Sequence, residues 1–206
     1  MKLDQSFCEE NLREILEVAK EEKNFVRIDM EDHTCTDATL EIYRNVSRDF
    51  NNVGVVIQSY LRMSEADVLE RAHLKANVRI CKGIYIEPEA IAFKGREEIR
   101  NNFLNLLSII LKNRCHVGIA THDEVLIDRA RRMISEMKIS PDKYEFQMLL
   151  GVKPDLRLRL IREGHRLRVY VPYGSDWYPY SVRRLKENPQ IAGYVLKAIF
   201  SRDNVK

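Results

Sequence analysis

Between Tyr173 and Pro189 the chain runs YGSDWYPYSVRRLKENP, and two adjacent arginines stand one turn into what reads as a helix. Pro179 suits a first helical position, with Ser175 and Asp176 upstream as caps. Successive helix residues diverge by about 100°, so Arg183 and Arg184 can grip one anion from two sides. Glu187 follows at helical spacing, within reach of both. Guanidinium groups bind carboxylates through paired, charge-assisted hydrogen bonds, which makes a small carboxylic acid the natural ligand. A lone Arg–Arg pair beside a glutamate is more plainly a solvated helix face. The density of Tyr170, Tyr173, Trp177, Tyr178 and Tyr180, which can wall a small pocket, and the strand before them favour the binding site.

Those residues need a scaffold, and the rest of the sequence supplies one. Short β-branched runs alternate with helical patterns along the whole length. Leu12, Ile15, Leu16 and Ala19 fall at helical spacing and begin an amphipathic helix. Strands are expected at Phe25–Met30 (FVRIDM), Val53–Gln58 (VGVVIQ), Val78–Lys82 (VRICK), His116–Thr121 (HVGIAT), Tyr144–Leu149 (YEFQML) and Leu167–Val171 (LRVYV). Helices are expected near Asp37–Arg48, from a capping box at Ser64 and Asp67, over Arg96–Asn113, near Glu124–Met137, from Pro154 to a stop at Gly164, and over Ile191–Phe200. Strict alternation implies a parallel sheet with right-handed crossovers. Nearly every strand ends in a reactive or hydrogen-bonding side chain: Asp29, Gln58, Lys82, Thr121 and His122, Gln147, Tyr170 and Tyr173. Contributions from so many strand ends converge in a closed (β/α)8 barrel, whereas an open doubly wound sheet concentrates them at one switch point. No GxGxxG or GxxxxGK[ST] pattern supports the second choice.

Composition narrows the class. At 206 residues, 45% apolar and 32% charged, the chain is of ordinary globular make-up and is read as one domain, 1–206. Basic and acidic residues nearly balance, 34 against 31, so no nucleic-acid partner is expected. The RARR run at Arg129–Arg132 is read as the outer face of a helix. Cys8, Cys35, Cys81 and Cys115 are scattered without metal-ligand spacing, which suits a reducing compartment and no metal. MKLDQSFCEE turns acidic before any apolar run, and no apolar stretch is long enough to cross a bilayer, so a cytoplasmic location is expected.

The closing signature LRVYVPYG, then WYPY, then RRLKENP, together with VRICKGIY at Val78–Tyr85, resembles that of the proline dehydrogenases in their short, single-function bacterial form. The resemblance runs through nearly all 206 residues. It implies a TIM-type (β/α)8 barrel in which FVRIDM is the third strand, so that six βα units are present and the first two strands are missing. An unclosed sheet of this kind exposes two edges and invites a partner, either an N-terminal complementing segment or a further copy of the chain.

The resemblance also assigns roles. Asp29 in RIDMED and Arg79 in VRICKGIY become catalytic, with Arg79 against a flavin; the plainer reading of Arg79 is an interior ion pair, for which Asp29 is the candidate partner. Met30, Gln58, Lys82, Gly83, Ile84, Thr121 and His122 become contacts of FAD. Tyr85, Leu149, Tyr170 and Tyr180 shape a site for the proline ring, and Arg183 with Arg184 clamps its carboxylate. Ile84 stands where relatives have alanine and Leu150 where tyrosine is common; the substrate-binding lysine of the second strand has no counterpart. The implied reaction is oxidation of L-proline to 1-pyrroline-5-carboxylate, with electrons passed to a quinone through peripheral contact at the inner face of the cell membrane. The apolar IAGYVLKAIF segment is read chiefly as packing on the barrel. The alternatives are a catalytically incompetent fragment or one half of a split enzyme, and a flavin-binding barrel oxidoreductase with another substrate.

Overall fold

A computed structural model describes residues 4–171 together with Gly174, Ser175, Tyr178 and Val182. Tyr173, Trp177, Tyr180, Arg183, Arg184 and the stretch Ile191–Phe200, where a helix is expected, lie outside the described residues. The elements alternate throughout: α1 (Gln5–Glu21), β1 (Val26–Ile28), α2 (His33–Val46), β2 (Val53–Gln58), α3 (Ser64–His73), β3 (Asn77–Cys81), α4 (Arg96–Lys112), β4 (Val117–Ala120), α5 (Glu124–Glu136), β5 (Tyr144–Leu149), α6 (Pro154–Arg162) and β6 (Leu167–Tyr170).

Among the described residues all five strand pairings are parallel, and the six strands lie side by side in chain order. A doubly wound sheet must reverse its strand order somewhere; this one never does, which is the topology of a barrel. Among the described residues β1 and β6 form its two edges.

The sheet has one apolar face and one polar face. Val53, Val55, Ile57, Val78, Ile80, Val117, Ile119, Phe146 and Met148 are buried in a single core with Leu40, Tyr43, Val68, Phe103, Leu107, Ile110, Ile127 and Leu160 of the helices. The alternate positions carry Arg27 and Asp29 on β1 and just after it, Asn77 and Arg79 on β3, Glu145 and Gln147 on β5, and Arg168 and Tyr170 on β6. In register, Arg27, Gly54 and Asn77 form one row across three strands. Arg27 Nη1 donates to the Asn77 carbonyl at 2.6 Å and Nη2 to Asn77 Oδ1 at 2.6 Å, passing directly over Gly54. A Cβ on Gly54 would sit 2.4 Å from Arg27 Nη1 and 2.5 Å from the Asn77 carbonyl oxygen, so glycine is what lets this bridge form. The row continues to His116 Nδ1, 3.1 Å from Asn77 Oδ1, and a second group, Arg168 Nε to Glu145 at 2.7 Å, lies further round the same inner face. Burial, with the nearby Arg79 charge, pushes the Arg27 guanidinium down to about 10.

Local signals explain most boundaries. Asp4, Asp32 and Asp123 cap α1, α2 and α5 by accepting from the backbone N–H of Phe7, Thr34 and Val125. The Asp32 cap is why α2 begins four residues before the expected Asp37. The expected capping box at Ser64 and Asp67 does not form: Met63 is the cap residue, and Ser64 Oγ donates instead to the Leu61 carbonyl at 2.7 Å. Just beyond α1, α3, α4 and α5 the chain turns left-handed at Lys23, Lys75, Arg114 and Lys138 rather than at glycine, putting a cation beside each helix C-terminus. Only α6 stops at the expected glycine, Gly164, with φ of +83°. The RARR run does lie on the outside of α5, where Arg131 pairs with Asp128 and Glu163.

Candidate active site at the strand ends

Parallel strands bring their C-terminal ends to one edge of the sheet, and the candidate residues within the described part of the chain lie there. Asp29 follows β1 directly, and its Oδ1 accepts from Arg79 Nη2 at 2.6 Å and from the Met30 backbone N–H at 3.0 Å. The Asp29–Arg79 pair spans from β1 to β3 over Val56, the residue in register with Arg79 on β2. Its partners are unequally exposed, 72% for the carboxylate side chain and 21% for the guanidinium. The pair expected as the plainer reading of Arg79 is therefore present, and it is open to a ligand rather than sealed in a core. Met30 itself is buried in the main apolar core, so its side chain packs beneath the helices.

Gln58 closes β2 at 3% exposure, and its side-chain oxygen is buried with no hydrogen-bond partner. An orphaned acceptor of this kind costs free energy unless a ligand supplies a donor. After β3, Lys82 reaches back to Asp123, with Nζ donating to Oδ2 at 3.2 Å. Gly83 follows at φ of +99° with the Tyr60 ring against it, Ile84 is exposed, and the Tyr85 hydroxyl donates to Glu31. The loop is held a second time where Glu87 accepts from the His33 backbone N–H at 2.9 Å and contacts the His33 ring. The loops after β1 and β3 are thus clasped to each other across β2.

Beyond β4, Thr121 Oγ1 accepts from the Asp123 backbone N–H at 3.1 Å, and His122 Nε2 accepts from the Leu149 backbone N–H at 2.9 Å. That bond fixes the imidazole as the Nδ1–H tautomer and ties the ends of β4 and β5. Burial, with Lys153, Lys82 and Arg157 nearby, pushes His122 down to about 4, so it is neutral at physiological pH. Its ordinary value is 6.5, hence between pH 6.5 and about 4 the unfolded chain takes up a proton that the folded chain refuses. Stability conferred here is complete above pH 6.5 and declines as pH falls towards 4. Urea unfolding of His122→Asn is expected to lose that part of the acid sensitivity, up to about 3 kcal/mol between pH 7.5 and 4. An identical slope in both proteins would place the bond elsewhere.

Leu149 and Tyr170 end β5 and β6 in register with each other, the tyrosine 45% exposed. The described chain thus brings Asp29, Gln58, Arg79, Lys82, Gly83, Ile84, Tyr85, Thr121, His122, Leu149 and Tyr170 to one edge; Tyr180, Arg183 and Arg184, expected to complete the substrate site, are outside the described residues. Sequence reasoning missed the residues that hold these in place: Glu31, His33, Glu87, Arg100 and Asp123. For His33 and Asp123 the available signal is the cap pattern, Asp32-His-Thr and Asp123-Glu-Val, since a carboxylate opening a helix at a strand end sits at the mouth. Among the described residues no group of three His, Cys, Asp or Glu could hold a metal ion, and no helix is long and apolar enough to cross a membrane.

Comparison with known proteins accounts for this edge. The family description "Proline dehydrogenase" matches residues 1–196. The chain is 40% identical over 192 residues to proline dehydrogenase 1 of Bacillus subtilis (strain 168), covering 93% of this chain and 64% of that protein. It is 41% identical over 191 residues to the proline dehydrogenase of Deinococcus radiodurans, covering 92% and 62%. The chain therefore spans less than two thirds of the length of these relatives. Its fold superposes on proline utilization A from Bdellovibrio bacteriovorus with a TM-score of 0.82 at 26% identity, covering 89% of this chain and 22% of that one. Strand order, strand-end chemistry and sequence agree, and the chain belongs to the proline dehydrogenase family.

Proposed function

We propose that this chain carries most of the catalytic mouth of an FAD-dependent proline dehydrogenase, oxidising L-proline to 1-pyrroline-5-carboxylate and passing the electrons to a quinone. The observation that carries the reading is the Asp29–Arg79 pair, 2.6 Å long, set among the strand ends and half open to solvent. The residues fit a flavin: the buried Gln58 oxygen lacks a donor, and Arg79 and Lys82 present cationic donors suited to a ring that gains electrons. FAD, when bound, supplies the hydride acceptor. Asp29 orients the Arg79 guanidinium; Gln58, Thr121 and His122 shape the wall; Ile84 takes the place of a smaller residue there. Tyr85, Leu149, Tyr170 and Tyr180 would confine the proline ring, and Arg183 and Arg184 its carboxylate. Neutral His122 is a hydrogen-bonding fixture, not an acid. Closure of the barrel would come from an N-terminal complementing segment or a second copy of the chain, and quinone reduction from peripheral contact of a cytoplasmic protein with the membrane.

The test is the visible spectrum of the purified chain mixed with FAD, alone and with the N-terminal segment of a relative, before and after L-proline under nitrogen. Bound flavin that bleaches with L-proline supports the reading. Flavin that stays yellow with proline but bleaches with another amine or carboxylic acid assigns a different substrate, and no bound flavin in either mixture overturns the proposal.

A further inference from the structure

Asp123 makes more bonds than a helix cap requires. Its Oδ1 accepts from the Val125 N–H at 3.2 Å and from Arg100 Nη2 at 2.9 Å; its Oδ2 accepts from Arg100 Nε at 2.9 Å and from Lys82 Nζ at 3.2 Å. The carboxylate side chain is 3% exposed and the Arg100 side chain 9%, whereas Lys82 is 39% exposed. Arg100 belongs to α4, on the outside of the sheet, and its remaining nitrogen contacts Glu97. The same Asp123 also donates its N–H to Thr121 Oγ1, at the turn that carries His122.

A bidentate arginine already neutralises this carboxylate, and the cap is satisfied as well. Lys82 is therefore a second cation on a paired acid, and it is the one that emerges at the mouth. Burial alone would push the Asp123 carboxyl up, but Arg100 and Lys82 outweigh it and hold the group near 2, so the carboxylate stays charged. Because Arg100 fixes both oxygens, the point to which the Lys82 ammonium is tethered is rigid.

We propose that Asp123, braced by Arg100, is the positioning residue that sets where the Lys82 ammonium stands at the strand-end mouth, and thereby tunes the mouth's affinity for FAD. The second half rests on the flavin reading above; the first does not.

Two measurements separate them. In flavin-free protein, acetylation of Lys82 by an amine-directed reagent, followed by mass spectrometry against exposed lysines elsewhere, reports the tether directly. Asp123→Asn keeps a competent cap and is expected to raise the relative rate at Lys82 about threefold or more, the loss of one charge-assisted bond. Arg100→Lys, which keeps the charge but not the fork, gives a smaller rise. An unchanged rate in Asp123→Asn overturns the proposal whatever the flavin does. Where the wild-type chain binds FAD, Asp123→Asn and Lys82→Gln are each expected to weaken it by about tenfold. Lys82→Gln, at the exposed end, should leave the flavin-free melting temperature in place, so a fold defect in Asp123→Asn cannot mimic the result. Equal FAD affinity in wild type and Lys82→Gln overturns the tuning role. A wild type that binds no FAD counts against the flavin reading, while the acetylation rates still decide the tether.

Discussion

If the chain is the flavin-dependent proline dehydrogenase proposed above, Arg79→Gln is expected to lower its turnover of L-proline roughly 10²- to 10³-fold, the scale of losing one preorganised cationic donor at a reacting centre. The energetics of the pair point to this role. With Asp29 72% and Arg79 21% exposed, the ion pair lies in the range where such contacts add about 0–1 kcal/mol to folding. A residue worth so little to the fold, placed on the inner face of a central strand, is explained by what it presents to the mouth. Arg79→Lys keeps the charge but gives up the planar fork, and should recover only part of the rate. Asp29→Asn leaves the guanidinium charged but unsteered and is expected to cost about tenfold. Because both act as one unit, the double variant should be little worse than Arg79→Gln alone. Steady-state rates and anaerobic flavin reduction check this; a purely structural pair would instead lower the melting temperature and leave the rate of the loaded enzyme as it was.

The parts of the fold that were legible in the sequence are those where one physical demand acts alone. VGVVIQ and YEFQML take the expected boundaries because Val53–Gln58 and most of Tyr144–Leu149 are buried, so apolar content and strand ends coincide. Strand-end chemistry chose the barrel correctly because parallel strands must deliver their C-terminal residues to one edge. Where two demands compete, local pattern and structure part. The α2 pattern suggests a start near Asp37, but Asp32 caps the helix earlier; Ser64 suggests a cap and serves the preceding carbonyl. Met30, which the resemblance makes a flavin contact, has its side chain in the apolar core. The sequence shows the polar inner face only at the strand ends, through Asp29, Arg79, Gln147 and Tyr170, and not deeper in the strands. Arg27, Asn77, Glu145 and Arg168 each stand two residues before one of those strand-end groups (Asp29, Arg79, Gln147 and Tyr170), and that period of two is the available sign of a barrel whose interior is hydrogen-bonded. Arg100 left no local trace, because its partner Asp123 lies 23 residues along the chain on another helix.

Gly83→Ala is expected to remove about 2–6 kcal/mol of stability from the protein without flavin. The family resemblance makes this glycine a flavin contact, where a backbone without a side chain permits close approach. The structure supplies a different obstacle: an added Cβ would lie 2.2 Å from Cδ1 and 2.3 Å from Cε1 of the Tyr60 ring. Tyr60 cannot easily give way, being 6% exposed, packed with Leu61 and Ala92, and bonded through its hydroxyl to Glu87 at 3.4 Å. The backbone angle of +99° adds its own penalty for any side chain, about 1–3 kcal/mol, and overpacking a rigid ring adds about 1–3 more. Tyr60→Leu in the Gly83→Ala background removes the ring and should restore roughly the overpacking share, leaving the backbone strain. The flanking contacts give the same substitution a functional signature. Lys82 is tethered to Asp123 and Tyr85 to Glu31, so a shift of the peptide between them must stretch one tether or the other. FAD affinity should therefore fall even at temperatures where Gly83→Ala remains folded, and Tyr60→Leu should return part of it. Urea unfolding and flavin titration of the single and double variants distinguish the two reasons for the glycine: if close approach of the cofactor were the whole cause, Gly83→Ala would unfold at the wild-type urea concentration and lose flavin alone.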